Sequence, residues 1–560
     1  MSPRRSSAAD PGTHGLHPSA HVDGWARRQL PPREEWPVIS SAPPYDYPPR
    51  LNAAVRLLDD AIAEDHGSRV ALVTPGRDGA WDETTYAALA ADVDALAHVL
   101  VQELGLVPGN RVLLRGFNGR WMTVAWLAAV KAGLVAVTTM PLLRAKELRV
   151  VIERAQCVAA LCDQRIVGEL EGAVGDPTPL RALRTWGSEG PDALEALMAA
   201  HRTPFAACAT SSDDVCLIAF TSGSTGVPKG CMHFHRDVMA MCDGFSAQVL
   251  GLRADDRCIG TPPIAFTFGL GGLVCFPLRA RASAVLVEKA SPEQMLTHIA
   301  ATRATVTFTA PTFYRMMALE IGKDRARFDV GSLRECVSAG EALPDATRTL
   351  WREATGVELL DGIGATELIH IFIAAAGADV RPGTIGRAVP GYEVAILDDG
   401  LKPVPAGTVG RLAVRGPTGC RYLADPRQRS YVQEGWNLTG DACSMDEDGY
   451  VSFKARTDDI ILSAGYNIGA PEVESAVLEH EAVLECAVVG VPDPERGQAV
   501  QAFVVLRPGV ARDDALAKAI QDHVKSTIAP YKYPRRVVFV DALPKTDTGK
   551  LQRFRLKEGS

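Results

Sequence analysis

The residue order predicts an α/β protein with a large multi-layer N-terminal domain, made of two α/β sheet subdomains plus a β-rich subdomain, and a small α+β C-terminal domain. Three observations predict it. From Arg111 the text RVLLRGFNGRWMTVAWLAAVKAGLVAVTTM gives an apolar run, a Gly/Asn turn, a helix-period stretch ending at Gly133 and a second apolar run, which is a βαβ unit. The same rhythm returns at Val215 to Phe220, Ala284 to Val287, Val306 to Thr309 and Leu333 to Ser338. Between Gly391 and Val414 the style changes to alternating apolar residues with frequent turn signals, so a β-rich, barrel-like subdomain is expected there.

Taken in order, residues 1–45 are rich in Pro, Ser, Arg and His without sustained periodicity and read as a flexible tail. Residues 46–456 carry the α/β and β-rich layers. Residues 457–560 hold a helix after Pro471, strands near Val483 to Val491 and Ala499 to Leu506, a helix after Asp513 and a last strand at Val537 to Val540. That block has the size of an independent domain.

Composition excludes several functions. The 59 Lys and Arg against 67 Asp and Glu leave a net charge of -8, whose field disfavours a nucleic-acid partner. The sequence has no run of the length and apolarity a membrane span needs, and its N-terminus shows no apolar segment of a secretory signal, so a cytoplasmic address is expected. Twelve cysteines include no CxxC pair, which fits reduced, buried thiols. Cys231, His233, His235 and Cys242 lie close together, but their spacing matches no zinc pattern.

The densest chemical signal is TSGSTGVPKG at 221–230, directly after an apolar strand. Gly223, Gly226 and Gly230 let backbone approach an anion, Thr221, Ser222, Ser224 and Thr225 supply hydroxyls, and Lys229 supplies positive charge. Such a loop suits phosphate oxygens. It differs from a Walker A loop, because Pro228 stands before the lysine where that motif has glycine.

This loop resembles that of the adenylate-forming superfamily, which includes acyl- and aryl-CoA synthetases, peptide-synthetase adenylation domains and luciferases. Further motifs follow in that family's order: GIGATE at 362–367, TGD at 439–441, RTDDIILSAGYNI at 456–468 and PKTDTGK at 544–550. The resemblance spans about Ala53 to Leu556. It implies ATP, Mg²⁺ and coenzyme A, with a mobile C-terminal lid hinged at Asp458. Lys550 resembles the lysine that bridges carboxylate and α-phosphate, and Thr366 the hydroxyl on that phosphate. Glu367 resembles the Mg²⁺ ligand, and Asp441 the acceptor of both ribose hydroxyls, with Arg456 beside it. Gly465 and Tyr466 match the positions along the pantetheine arm. Ile363, followed by Gly364, departs from the pattern, since many relatives place an aromatic residue there against adenine.

Phe266, in PPIAFTFGLGG, occupies a position where aliphatic and hydroxycinnamate ligases often have histidine. With GEALP at 340–344 and GIGATELIHIF at 362–372, the chain most resembles benzoate- and 2-aminobenzoate-CoA ligases. The resemblance places Thr267, Phe268, Ala339, Gly364, His370 and Ile371 in the acid pocket. Small residues at Ala339 and Gly364 would open a flat slot, and Phe268 and Ile371 would sandwich a ring. His370 follows Glu367 by three and on a helix would share its side; it could donate to the carboxylate or to an ortho substituent, and a core histidine satisfies the sequence equally. The Thr267 hydroxyl suits a ring bearing an amino or hydroxyl group. The expected partners are therefore an aryl acid, ATP and CoA, without nucleic acid or membrane and compatible with a homodimer. A carrier-protein thiol in place of CoA, or a non-catalytic nucleotide-binding relative, remain alternatives.

Overall fold

The computed structural model describes residues 15–76, 79–175, 177–221, 228–456, 460–463, 466–493, 496–528, 530–545 and 551–558. The expected βαβ unit forms the centre of a six-stranded sheet. Its order is Ala182–Trp186, Ala159–Asp163, Arg111–Arg115, Val135–Thr139, Val215–Thr221 and Lys229–Phe234. All neighbours run parallel except the last pair. Strands covered on both faces need continuous apolar sequence, and Arg111–Arg115 and Val135–Thr139 are buried throughout.

A second, nine-stranded sheet carries the strands expected at Ala284, Val306 and Leu333, which form at Ser283–Val285, Val306–Thr309 and Glu335–Ala339. Leu359–Gly364 lies beside Glu335–Ala339 and pairs antiparallel with Ile371–Ala374. The β-rich subdomain is an antiparallel sheet of Glu393–Leu397, Gly410–Arg415, Trp436–Met445, Val432–Gln433 and Val451–Arg456. The barrel-like expectation is corrected: among the described residues no pairing joins its outer strands, so it is an open sheet.

After Arg456 the chain enters a separate five-stranded sheet, beginning with Ile460–Ser463 and including Val483–Asp493, Gly497–Leu506 and Arg536–Phe539. Helices Ala470–Leu478 and Asp514–Thr527 pack on it through Val473, Val477, Ile520 and Val524. Asp513 caps the second helix by accepting from the Leu516 amide at 2.8 Å. The unit is seated on the larger body by Arg315, a buried guanidinium that donates to the carbonyls of Leu484, Val483 and Leu478.

The expectation of a tail over 1–45 is corrected from residue 15 onward. Asp23 pairs with the buried Arg111, Ser19 and the Ala20 amide donate to Asp214, and the Val38 and Ser40 amides donate to Gly435 and Gly416. Ala26 and Trp36 enter a core cluster with Phe234 and Leu423. Trp36 stands 5.8 Å from the Phe234 ring, and the Arg421 guanidinium lies over both rings. Arg421 in turn pairs with Asp237 at 2.7 Å, both fully buried. Losing one partner of such a pair costs about 3–5 kcal/mol, because the other charge is stranded.

Candidate active site

The strands Val215–Thr221 and Lys229–Phe234 form an antiparallel pair that brackets the glycine-rich loop. Ser222, Gly223, Ser224, Thr225 and Gly226 lie outside the described residues, as do Asp458, Gly465 and Lys550. Tyr466 opens the strand Tyr466–Gly469, and its side chain is also outside them. The loop's two ends are defined. Thr221 Oγ1 is buried and, among the described residues, has no hydrogen-bond partner. On the other side Arg154 donates to the Pro228 carbonyl at 2.5 Å and pairs with Asp425 at 3.0 Å.

Residues 421–423 add to the edge of Lys229–Phe234. The Met232 amide donates to Arg421 and the Leu423 amide to Gly230, both at 2.8 Å. Alternation along this extra strand sends Arg421 to Asp237 and Tyr422 to the opposite side. Lys229 Nζ donates to Tyr422 Oη at 2.7 Å, and that hydroxyl donates to Glu367 Oε1 at 2.5 Å. Lys229 Nζ itself stands 3.5 Å from Glu367 Oε1. Burial first, then the Glu367 charge, push the Tyr422 phenol far above its ordinary range, so it stays a hydroxyl.

Asp441 and Arg456 are register partners on adjacent strands, and Arg456 donates to Asp441 Oδ1 at 2.7 Å and to the Thr439 carbonyl at 2.9 Å. Burial raises the Asp441 carboxyl above the usual range, with Arg456 opposing it. Thr366 and Glu367 stand in the short helix Thr366–Leu368, directly after the strand ending at Gly364. Ile363 is half-buried against the β-rich core.

The helical spacing expected between Glu367 and His370 is not realised. The helix stops at Leu368, and Ile369 adopts φ +67°, which turns the chain before His370. His370 therefore leaves the Glu367 cluster and lies among Phe276, Phe245 and Phe268, with ring centroids 4.5, 5.6 and 5.6 Å away. Burial pushes its imidazole down to about 3, so it is neutral. Nε2 faces the Phe268 carbonyl at 3.4 Å. A carbonyl only accepts, so Nε2 carries the proton and Nδ1 is left as an acceptor. Nδ1 is buried without a partner among the described residues.

Gly271 makes room for this ring, since a Cβ there would stand 2.5 Å from His370 Cδ2. At Gly364 a Cβ would lie 2.8 Å from the His370 carbonyl oxygen, so the close approach of the paired strand itself requires glycine. Thr267, Ala339 and Ile371 are buried and Phe268 half-buried. Phe268 also meets Phe308 edge-on at 6.1 Å. Tyr422 is the residue that sequence reasoning missed; RYL at 421–423 carried no motif, and only its pairing with the loop's second strand gives it meaning.

Among the described residues no three or more His, Cys, Asp or Glu side chains converge to hold a metal by themselves, the Cys231–Cys242 segment included. A single convergent carboxylate beside a phosphate loop fits Mg²⁺, which keeps waters and takes the rest of its ligands from phosphates. The orphan Thr221 hydroxyl and the Lys229 ammonium fit the phosphates themselves.

Two strands bracketing a glycine-rich segment, a buried carboxylate bonded to Tyr422 and Lys229, and a cluster of aromatic rings around His370 are compatible with an enzyme that activates an acid on a nucleotide. The chain belongs to the AMP-binding enzyme family, whose pattern matches residues 59–422, while that of the AMP-binding enzyme C-terminal domain matches 472–550. It is 35% identical to the benzoate–CoA ligase of Thauera aromatica, over 92% of this chain and 98% of that one. It is 31% identical to the 3-hydroxybenzoate–CoA ligase of Aromatoleum sp. (strain CIB), over 91% and 97%. The crystal structure of the anthranilate CoA ligase AuaEII in complex with anthranoyl-AMP superposes with a TM-score of 0.86 at 35% identity, covering 92% of this chain and 98% of that one. A benzoate CoA ligase from Burkholderia xenovorans LB400 gives 0.81 at 32% identity, covering 90% and 99%. The protein is an AMP-forming acid–CoA ligase that uses ATP, Mg²⁺ and coenzyme A. No helix among its described residues is long and apolar enough to cross a membrane.

Proposed function

We propose that the acid is a benzoate bearing a hydrogen-bond donor, 2-aminobenzoate foremost and a hydroxybenzoate next. The observation that carries this reading is the His370 Nδ1 acceptor, buried among three aromatic rings with no protein partner. An amine or hydroxyl on the ring supplies the missing proton, whereas benzoate leaves the acceptor unpaired at a cost of about 1–3 kcal/mol. This replaces the sequence expectation that His370 donates. Of the relatives above, the 3-hydroxybenzoate and anthranilate ligases are named for donor-bearing acids of this class, and the Thauera aromatica and Burkholderia xenovorans enzymes for benzoate itself.

The chemistry assigns the remaining roles. The acid's carboxylate oxygen attacks the α-phosphorus of ATP, pyrophosphate leaves, and the CoA thiol then displaces AMP from the mixed anhydride to give the thioester. Because His370 is neutral, it offers no charge to the two anions that must meet. In this reading Lys550 bridges them, and Thr366 contacts the α-phosphate. Thr221, Ser222, Gly223, Ser224, Thr225, Gly226 and Lys229 hold the other phosphates. Glu367 would hold Mg²⁺, which screens charge on the phosphate oxygens. Asp441 accepts the ribose hydroxyls with Arg456 holding it, and Ile363 and Gly364 flank adenine. Thr267, Phe268, Ala339, Gly364 and Ile371 line the ring slot. Asp458 serves as hinge between units 46–456 and 457–560, with Gly465 and Tyr466 along the pantetheine arm.

Thioester formation measured over benzoate and its 2-amino, 2-hydroxy, 3-hydroxy and 4-hydroxy derivatives tests the reading. A kcat/KM for the preferred donor-bearing acid about 10-fold or more above that of benzoate is expected, the size of one well-placed hydrogen bond. Equal or higher efficiency with benzoate would overturn it.

A further inference from the structure

We propose that Tyr422 is a positioning residue whose hydroxyl fixes Glu367 so that the carboxylate presents Oε2 to the cation of MgATP. This deepens the reading above and rests on its assignment of Glu367.

The hydroxyl is spent on both sides. It accepts from Lys229 and donates to Glu367 Oε1, so it holds the phosphate-side cation and the metal-side anion in one line. Its ring is fully buried in an apolar cluster of Cys231, Cys420 and Val432, with Tyr431 edge-on at 5.7 Å. The Tyr422 amide is itself fixed by Gln428 at 2.9 Å, and Gln428 donates to the Cys420 carbonyl. A hydroxyl anchored this firmly leaves Glu367 one orientation for Oε1. Lys229 Nζ also reaches Glu367 Oε1 directly through a long hydrogen bond of 3.5 Å, so the tyrosine hydroxyl is the nearer partner of each. Partners that orient a metal-binding carboxylate typically account for about 10–100-fold in metal affinity.

Tyr431 provides an internal control. It lies in the same cluster, but its hydroxyl has no hydrogen-bond partner among the described residues. Tyr422→Phe and Tyr431→Phe therefore remove the same atom from neighbouring rings, and only the first touches Glu367.

The test uses the full chain and Mn²⁺ as a paramagnetic probe, titrated in the presence of a non-hydrolysable ATP analogue. Tyr422→Phe is expected to weaken Mn²⁺ binding by about 10–100-fold. In turnover it should raise the Mg²⁺ concentration for half-maximal rate by a similar factor, leaving kcat at saturating Mg²⁺ within about 3-fold. Tyr431→Phe should bind Mn²⁺ as the unaltered protein does. Adding Tyr422→Phe to Glu367→Gln should weaken binding no further. Equal Mn²⁺ binding by Tyr422→Phe and the unaltered chain would overturn the proposal, as would additive losses in the double variant. Failure of the unaltered chain to bind the metal–nucleotide at all would instead sink the functional reading. A crystal structure of the unaltered chain with the Mn²⁺ complex tests the same point without any variant. Tyr422 Oη still bonded to Glu367 Oε1, with Oε2 on the metal, is expected. A tyrosine swung away from Glu367 would contradict it.

Discussion

Around His370 the protein sets three aromatic rings and one carbonyl, whereas around Glu367, three residues earlier, it sets a lysine and a tyrosine hydroxyl. Both side chains are buried, but their neighbours differ. At His370 there is no charge to compensate desolvation, and the imidazole is held neutral. At Glu367 an ammonium and a hydroxyl donor both meet Oε1. In the proposed function the unpaired neutral acceptor selects the ring and the paired charges serve the nucleotide. That proposal separates ring recognition from nucleotide activation.

That separation can be broken at either end. The largest effect is expected from Glu367→Gln, which should slow acid-dependent pyrophosphate release by about 100-fold or more, the size of losing a preorganised charge-stabilising group. Selectivity among ring acids should survive; a collapse of both would show that the two ends are one unit. Asp441→Asn should raise the KM for ATP by about 10–100-fold, because charge-assisted hydrogen bonds to the ribose are lost, with little change in the KM for the acid. Matching losses for both substrates would contradict the separation. His370→Phe should lower kcat/KM for the preferred donor-bearing acid by about 10-fold and spare benzoate, with the KM for ATP unmoved.

The smallest expected effect is on pH dependence. Asp441 has a raised carboxyl pKa and must be ionised to accept two hydroxyls, so ATP binding should weaken on acidification at a higher pH than an ordinary aspartate would require. His370, lowered to about 3, should leave ring selectivity flat above that value. The sign for stability is opposite in the two cases. The neutral imidazole contributes stability that is present above the ordinary histidine range and lost as pH falls toward 3. The buried Asp441 charge instead disfavours the native state as pH rises through its raised value. Nucleotide affinity and acid selectivity followed over pH 5–9 would separate these behaviours; ring selectivity that titrates with ATP affinity would contradict the assignment.

Much of this was legible in the sequence because the signals are local. The apolar runs at Arg111 and Val135 are strands with a helix between them, and Asp513 caps its helix as a short polar residue should. The family motifs gave the order of the site. What escaped was long-range. Residues 15–45 have no period because their ties run through single bonds to distant partners, as from Asp23 to Arg111 and from the Val38 amide to Gly435. Tyr422 reaches Lys229 only because residues 421–423 join a strand almost two hundred positions earlier. The spacing of Glu367 and His370 misled because one residue, Ile369, takes a positive φ and cancels the helical geometry.

The measurement that bears most directly on the whole account is the stoichiometry of a single reaction mixture containing ATP, Mg²⁺, coenzyme A and 2-aminobenzoate. The account predicts pyrophosphate, AMP and 2-aminobenzoyl-CoA in equal amounts, with none formed when the acid is omitted. ADP and phosphate in place of AMP and pyrophosphate, or nucleotide cleavage indifferent to the acid, would contradict it.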